Sequence, residues 1–144
     1  MSEISDVLIV AVLAQLLGQL LKVVLHSIWS RRLQLHYFVN AGGFPSAHSA
    51  FATALLVGIA LRRGLGSDVF AVAAVFSAIV IYDAFRLRGA VQRQAKMLNR
   101  VLRERGDPEV SELSGHSLPE IIVGILLGAA VATVYALTVG LGTH

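Results

Sequence analysis

The chain has no cysteine among its 144 residues. This excludes disulfides and thiolate metal centres but says nothing about compartment. Charged residues make up only 15%, and proline occurs three times. Aromatic residues are few and almost missing from the basic cluster at 86–105, so no nucleic-acid partner is expected. No H-E-x-x-H or cysteine-pair pattern is present, and no metal or other cofactor is expected; His48 beside His116 and Glu120 is the weak metal alternative. The N-terminal MSEISDVLIV lacks the positive n-region of a secretory signal, so the first apolar run is expected to be a retained span.

What the chain has in quantity is apolar surface. Hydrophobic residues make up 56%, and the mean hydropathy is +0.72. That balance lies outside the soluble range and indicates the bilayer. The length suits one domain, 1–144. Four runs, 7–29, 46–61, 69–85 and 118–141, approach the roughly 20 helical residues needed to cross a hydrocarbon core. Only helices satisfy their own backbone hydrogen bonds in lipid without closing a barrel. The expectation is an all-α integral membrane helical bundle of about four transmembrane helices. The alternative is that runs two and three are core helices of a soluble bundle. Residues 86–105 carry apolar residues near helical spacing, with Arg86, Arg93 and Arg100 on another face. They read as an amphipathic basic helix at a membrane surface or on a partner helix.

With four spans, the loop 30–45 and the segment 86–117 share one side of the membrane. That side carries Arg31, Arg32, Arg86, Arg88, Arg93, Lys96, Arg100, Arg103 and Arg105, against Arg62 and Arg63 on the other. The positive-inside bias puts the nine in the cytoplasm. The polar residues in or beside the spans, Lys22, His26, His48, Asp83, Arg88, His116 and Glu120, all fall at that same face. Ionisable groups inside a membrane are costly and default to a functional reading.

In AGGFPSAHSAF, 41–51, Gly42 and Gly43 allow a tight turn and close approach of a ligand. Pro45 suits a first helical turn. The amides of Ser46, Ala47 and His48 would then form an anion site at a helix N-terminus, with His48 as proton donor. Simple capping by Ser46 competes with this reading. His116 and Glu120 are four apart, a spacing at which a carboxylate holds an imidazole N–H. Residues 117–120 equally fit a capping box. Lys22 and Arg88 would clamp phosphoryl oxygens; snorkelling is the alternative for Lys22, and a plain surface arginine for Arg88. Asp83 would neutralise one of these cations. His26 and His36 read as bystanders.

GGFPSAHS (42–49), YDAFRLRGAVQRQA (82–95) and GHSLPEIIVG (115–124), in that order among four apolar runs, resemble the divergent branch of the type 2 phosphatidic acid phosphatase superfamily. This is the superfamily of acid phosphatases and vanadium-dependent haloperoxidases. The resemblance spans roughly residues 12–137. It implies that Ser46, Ala47 and His48 are phosphate-binding amides and an acid histidine. It also implies that His116 is the nucleophile, oriented by Glu120 where the wider family has aspartate, and that Lys22 binds phosphate. The chain departs from the wider pattern at Trp29 and Val110, where arginines are usual, and Arg88 is expected to fill the latter role. Arg86 and Gln92 stand where the branch tends to carry glycine.

These expectations describe a metal-independent lipid-phosphate phosphatase acting through a phosphohistidine. Phosphatidylglycerol phosphate, phosphatidic acid and polyprenyl phosphates are the candidate substrates. His48 and His116 should then face one pocket about a phosphate apart. A non-catalytic lipid- or phosphate-binding membrane protein is the alternative, and a haloperoxidase a distant third. A bacterial- or archaeal-type plasma membrane, a cytoplasm-facing site and a possible homodimer complete the expectation.

Overall fold

The computed structural model describes residues 5–33, 35–38, 42–110 and 116–141, without the side chains of residues 36, 37, 87 and 88. Among the described residues the elements are α1 (Asp6–Ser30), a 3₁₀ turn (Leu35–Phe38), α2 (Ala47–Arg63), α3 (Asp68–Tyr82), a π-helical turn (Asp83–Leu87), α4 (Arg88–Arg105) and α5 (Leu118–Thr138). α1, α5 and the continuous stretch Asp68–Arg105 are each long and apolar enough to cross a membrane.

The second apolar run differs from the other three. As α2 it has 17 residues, about 25 Å at the helical rise, and it packs against α1, α3 and α5 at once. Its buried residues are all small: Ala47, Ser49, Ala50, Ala52, Thr53, Ala54 and Gly58. Between helices in lipid, small side chains allow the backbone approach on which van der Waals packing depends. Glycines on the neighbours complete the fit. A Cβ on Gly18 of α1 would lie 3.2 Å from that of Ala47, and one on Gly124 of α5 would lie 3.0 Å from that of Ser49. A Cβ on Gly128 would run into the Ala50 carbonyl. The large apolar side chains point outward instead: Val72, Ile79, Leu126 and Leu137 are all more than 60% exposed, as a lipid-facing surface requires.

Gly128→Ala should therefore destabilise the bundle by about 1–3 kcal/mol through overpacking. Gly66→Ala, in a turn where a Cβ meets nothing, should leave it unchanged. Thermal unfolding in detergent separates the two.

The helix directions follow from contacts at both ends. Arg62 Nη1 donates to Ser5 Oγ (3.3 Å) at one end, and Gly18 meets Ala47 toward the other, so α1 and α2 are antiparallel. Ser46 N donates to Glu120 O (3.0 Å), which puts the N-termini of α2 and α5 side by side. Ser77 Oγ donates to Ala52 O (3.0 Å) and ties α3 to the hub.

The basic helix is not set off from the third span. α3 passes through the π turn into α4 as one stretch of 38 residues, about 57 Å long. It therefore outruns a hydrocarbon core of roughly 30 Å. The connector after α4 folds back along it. Asn99 Nδ2 donates to Val110 O (2.9 Å), and Val110 N donates to Asn99 Oδ1 (2.8 Å). Arg103 grips Glu109 through Nε (2.7 Å) and Nη2 (2.9 Å). That hydrogen-bonded guanidinium holds the Glu109 carboxyl below its ordinary value. The clasp is thus fully present above the usual carboxylate range and is lost only as pH falls through the depressed value. Residues 111–115 of this connector lie outside the described residues.

Candidate active site

The buried face of α1 runs Val7, Ala11, Ala14, Gly18, Lys22, a three- and four-residue repeat that ends on a lysine. Lys22 therefore points into the bundle. It does not snorkel: it is 0% exposed. The 42–46 loop closes over it. Gly43 has φ 106, a backbone conformation that favours glycine. A Cβ there would sit 3.2 Å from Lys22 Cδ and 3.2 Å from His26 Nε2. Gly42 beside it is buried. Lys22 also feels the negative charge of Glu120, so α1 and α5 bring opposite charges together beneath this loop.

The α2 entrance differs from the expected anion site in two ways. Pro45 precedes the N-cap rather than opening the helix, because Ser46 holds the N-cap position. The Ser46 amide is already bonded to the Glu120 carbonyl. Its hydroxyl accepts from Ser49 N (3.3 Å) and pairs with Ser49 Oγ (2.9 Å). The capping reading of Ser46 is thus realised, and Ser46 works as a joint between α2 and α5. Ala47 and His48 occupy the first turn of α2, where backbone amides have no acceptor within the helix itself.

At the start of α5 the two readings of 116–120 hold together. Glu120 completes the capping box with Ser117, taking its amide at 3.1 Å. The same Oε2 lies 3.0 Å from His116 Nδ1. A carboxylate accepts, so Nδ1 carries the hydrogen and Nε2 keeps the lone pair when the ring is neutral. Nε2 is buried and makes no hydrogen bond among the described residues. His116 lines a cavity of about 200 Å³ with Phe85, Arg86, Gly89, Gln92, Arg93 and Ser117.

Among the described side chains, the cations that line this cavity with His116 are Arg86 and Arg93, which the sequence pattern assigns to a separate surface face. Their spacing of seven put them on one side of a helix; continuity through the π turn aims that side at α5. The Arg88 side chain lies outside the described residues. Gly89 leaves the wall between the two arginines open.

His48 borders a different cavity, of about 310 Å³, with Ile79, Val80, Asp83 and Ala84. Among the described residues, His48 and His116 thus border different cavities. The π turn walls both: Asp83 and Ala84 face that of His48, and Phe85 and Arg86 face that of His116. Asp83 shares its cavity with His48. Among the described residues, no three His, Asp or Glu side chains gather as a metal-ligand set.

Apolar helices enclosing a small-residue hub, with lysine, carboxylate, histidine and arginine gathered at one end, define an all-α integral membrane protein with a charged site. The chain belongs to the Divergent PAP2 family, whose model matches residues 4–131, and is thus a phosphatase-related membrane protein. It is 33% identical over 140 residues to Uncharacterized membrane protein YuiD of Bacillus subtilis (strain 168), covering 85% of this chain and 89% of that one. No solved structure matches it.

Proposed function

We propose that the chain is a metal-independent lipid-phosphate phosphatase working through a phosphohistidine. The observation that carries this is His116: its Nδ1 is held by Glu120, its Nε2 is buried, and the residue lines a cavity together with two arginines. The Nε2 lone pair attacks phosphorus in line. An N–P bond forms, the bond from phosphorus to the lipid oxygen breaks, and the leaving alkoxide takes a proton from His48. Water deprotonated by His48 then attacks the phosphohistidine and releases phosphate. Glu120 stabilises the charge that develops on the ring. Arg86 and Arg93 hold the equatorial oxygens, with Lys22, the amides of Ala47 and His48, and Arg88 completing the electropositive surround. Phosphatidylglycerol phosphate, phosphatidic acid and a polyprenyl phosphate are the substrates to test.

Purified protein in detergent should release phosphate from at least one of these. Orthovanadate should inhibit, since it mimics the five-coordinate transition state. EDTA should not. Activity lost in EDTA and restored by Mg²⁺ overturns the metal-independent assignment.

A second reading is favoured by one observation: His48 and His116 border separate cavities, and the Ser46 amide is already committed. A protein that binds a lipid phosphate without turning it over fits both. Phosphate-headgroup binding without release on any substrate selects this reading.

The proposed placement of the site is the cytoplasmic face of a bacterial- or archaeal-type plasma membrane. Nine Lys or Arg residues in the segments 30–45 and 86–117 on that side of the bundle, against two in the 62–67 turn on the other, support this orientation. Single cysteines at Ser30, Gly66 and Asp107 test it in a background free of native thiols. An impermeant reagent on intact cells should label position 66 alone. Labelling at 30 and 107 but not 66 inverts the orientation.

A further inference from the structure

A further cavity, larger than the two already described, lies at the opposite end of the bundle and takes no part in the proposed reaction. Its volume is about 840 Å³, in the wedge where the start of α1, the end of α2 and the start of α3 meet. That is the size of a site for a sizeable small molecule, for which roughly 300–1,000 Å³ is usual. One face of α2 supplies its floor: Leu55, Ile59 and Arg62 follow at helical spacing, with Arg63 beside them. Leu8 of α1 and Val69 of α3 form apolar sides and are 49% and 56% exposed. In a membrane-spanning bundle such side chains border lipid.

The polar end of the wedge is basic. Arg62 and Arg63 line it, and Asp6 is the acid among the lining residues. Arg62 is anchored through Nη1 to Ser5 Oγ, yet its Nε is buried and makes no hydrogen bond among the described residues. A guanidinium N–H shielded from water without an acceptor is unfavourable. The group that best resolves it is an anionic oxygen matched to the guanidinium fork, for which phosphate is suited.

We propose that this wedge binds one anionic phospholipid of the leaflet at that end. Its phosphate diester sits against Arg62 and Arg63, and its acyl chains lie along Leu8, Leu55, Ile59 and Val69. The charge pattern favours this occupant over a second copy of the chain. A two-fold contact through the wedge would bring the Arg62 and Arg63 pairs of both copies together, and like charges across an interface are repulsive. Bound there, the lipid bridges α1 and α3, which both pack on α2.

Native mass spectrometry of detergent-purified protein titrated with phosphatidylglycerol or phosphatidylcholine tests the proposal. The wild type should retain phosphatidylglycerol in clear preference to phosphatidylcholine. Arg62→Gln with Arg63→Gln should weaken that retention by roughly 5-fold for each arginine removed. Arg62→Lys with Arg63→Lys should keep part of the preference, because charge survives while the fork does not. Ile59→Trp fills the groove with both arginines intact and should reduce retention of both lipids, which guards against a glutamine variant that fails to fold. His116→Ala should hold phosphatidylglycerol as the wild type does. Equal retention of the two lipids, full retention by the glutamine or tryptophan variants, or a loss shared with His116→Ala overturns the proposal. A dimer abolished by the glutamine variant with no lipid held assigns the wedge to a second copy instead.

Discussion

His116→Ala should reduce phosphate release by roughly 10³-fold or more, because removing a nucleophile leaves only binding and electrostatic help. The fold should survive, because the capping box rests on Ser117 and Glu120 rather than on the imidazole. Glu120→Gln is the sharper companion. Glutamine also serves at that position of a capping box, so α5 should start normally. What it loses is the full negative charge facing His116 Nδ1 across 3.0 Å. The ring is then less basic and less firmly held in the tautomer that leaves Nε2 free, and activity should fall by about 10²-fold or more. Circular dichroism and thermal unfolding should show Glu120→Gln near the wild type. An unfolded Glu120→Gln protein would mean that this carboxylate matters mainly to packing.

The second large effect is expected at the two arginines of the His116 cavity. Arg86→Ala and Arg93→Ala should each lower kcat/KM by about 10²-fold, the usual scale for losing one donor aimed at developing charge. Lysine at either position should recover part of the loss by restoring the point charge without the planar fork. The kcat-against-KM split is informative. A residue that only attracts an anionic lipid surface raises KM alone, whereas one that holds transition-state oxygens lowers kcat. Arg100, on the same heptad stripe but not lining the cavity, is the control: Arg100→Ala should leave kcat unchanged. If all three substitutions act alike and only through KM, the arginines serve membrane attraction rather than phosphoryl transfer.

Much of this arrangement is visible in the sequence, for identifiable reasons. Long apolar runs make the crossing helices plain, because lipid demands them. The four-residue spacing of His116 and Glu120 is local, so both its capping and its orienting role follow from helix geometry alone. The inward aim of Lys22 is also legible, as the last member of the stripe through Val7, Ala11, Ala14 and Gly18. The use made of Ser46 is not. Its amide is taken by the carbonyl of Glu120, 74 positions away in a sequence that carries no sign of that pairing. The π turn at Asp83–Leu87 is hidden for a similar reason. An i→i+5 pattern leaves no composition signal, yet it decides which cavity each neighbouring side chain faces. Without it, Arg86 and Arg93 read as a solvated stripe. α2 shows the converse: its small residues, modest in hydropathy, mark a hub packed by close backbone approach rather than a lipid-facing span.

The most direct measurement is a rapid quench of purified protein with a labelled lipid phosphate under alkaline conditions, which preserve phosphohistidine, followed by peptide mass spectrometry. A phosphoryl group should build up on His116 within a turnover, attached at Nε2, and be absent from His116→Ala. Phosphate release at wild-type rate by His116→Ala, or turnover with no phosphoryl group ever found on His116, would contradict the phosphohistidine mechanism.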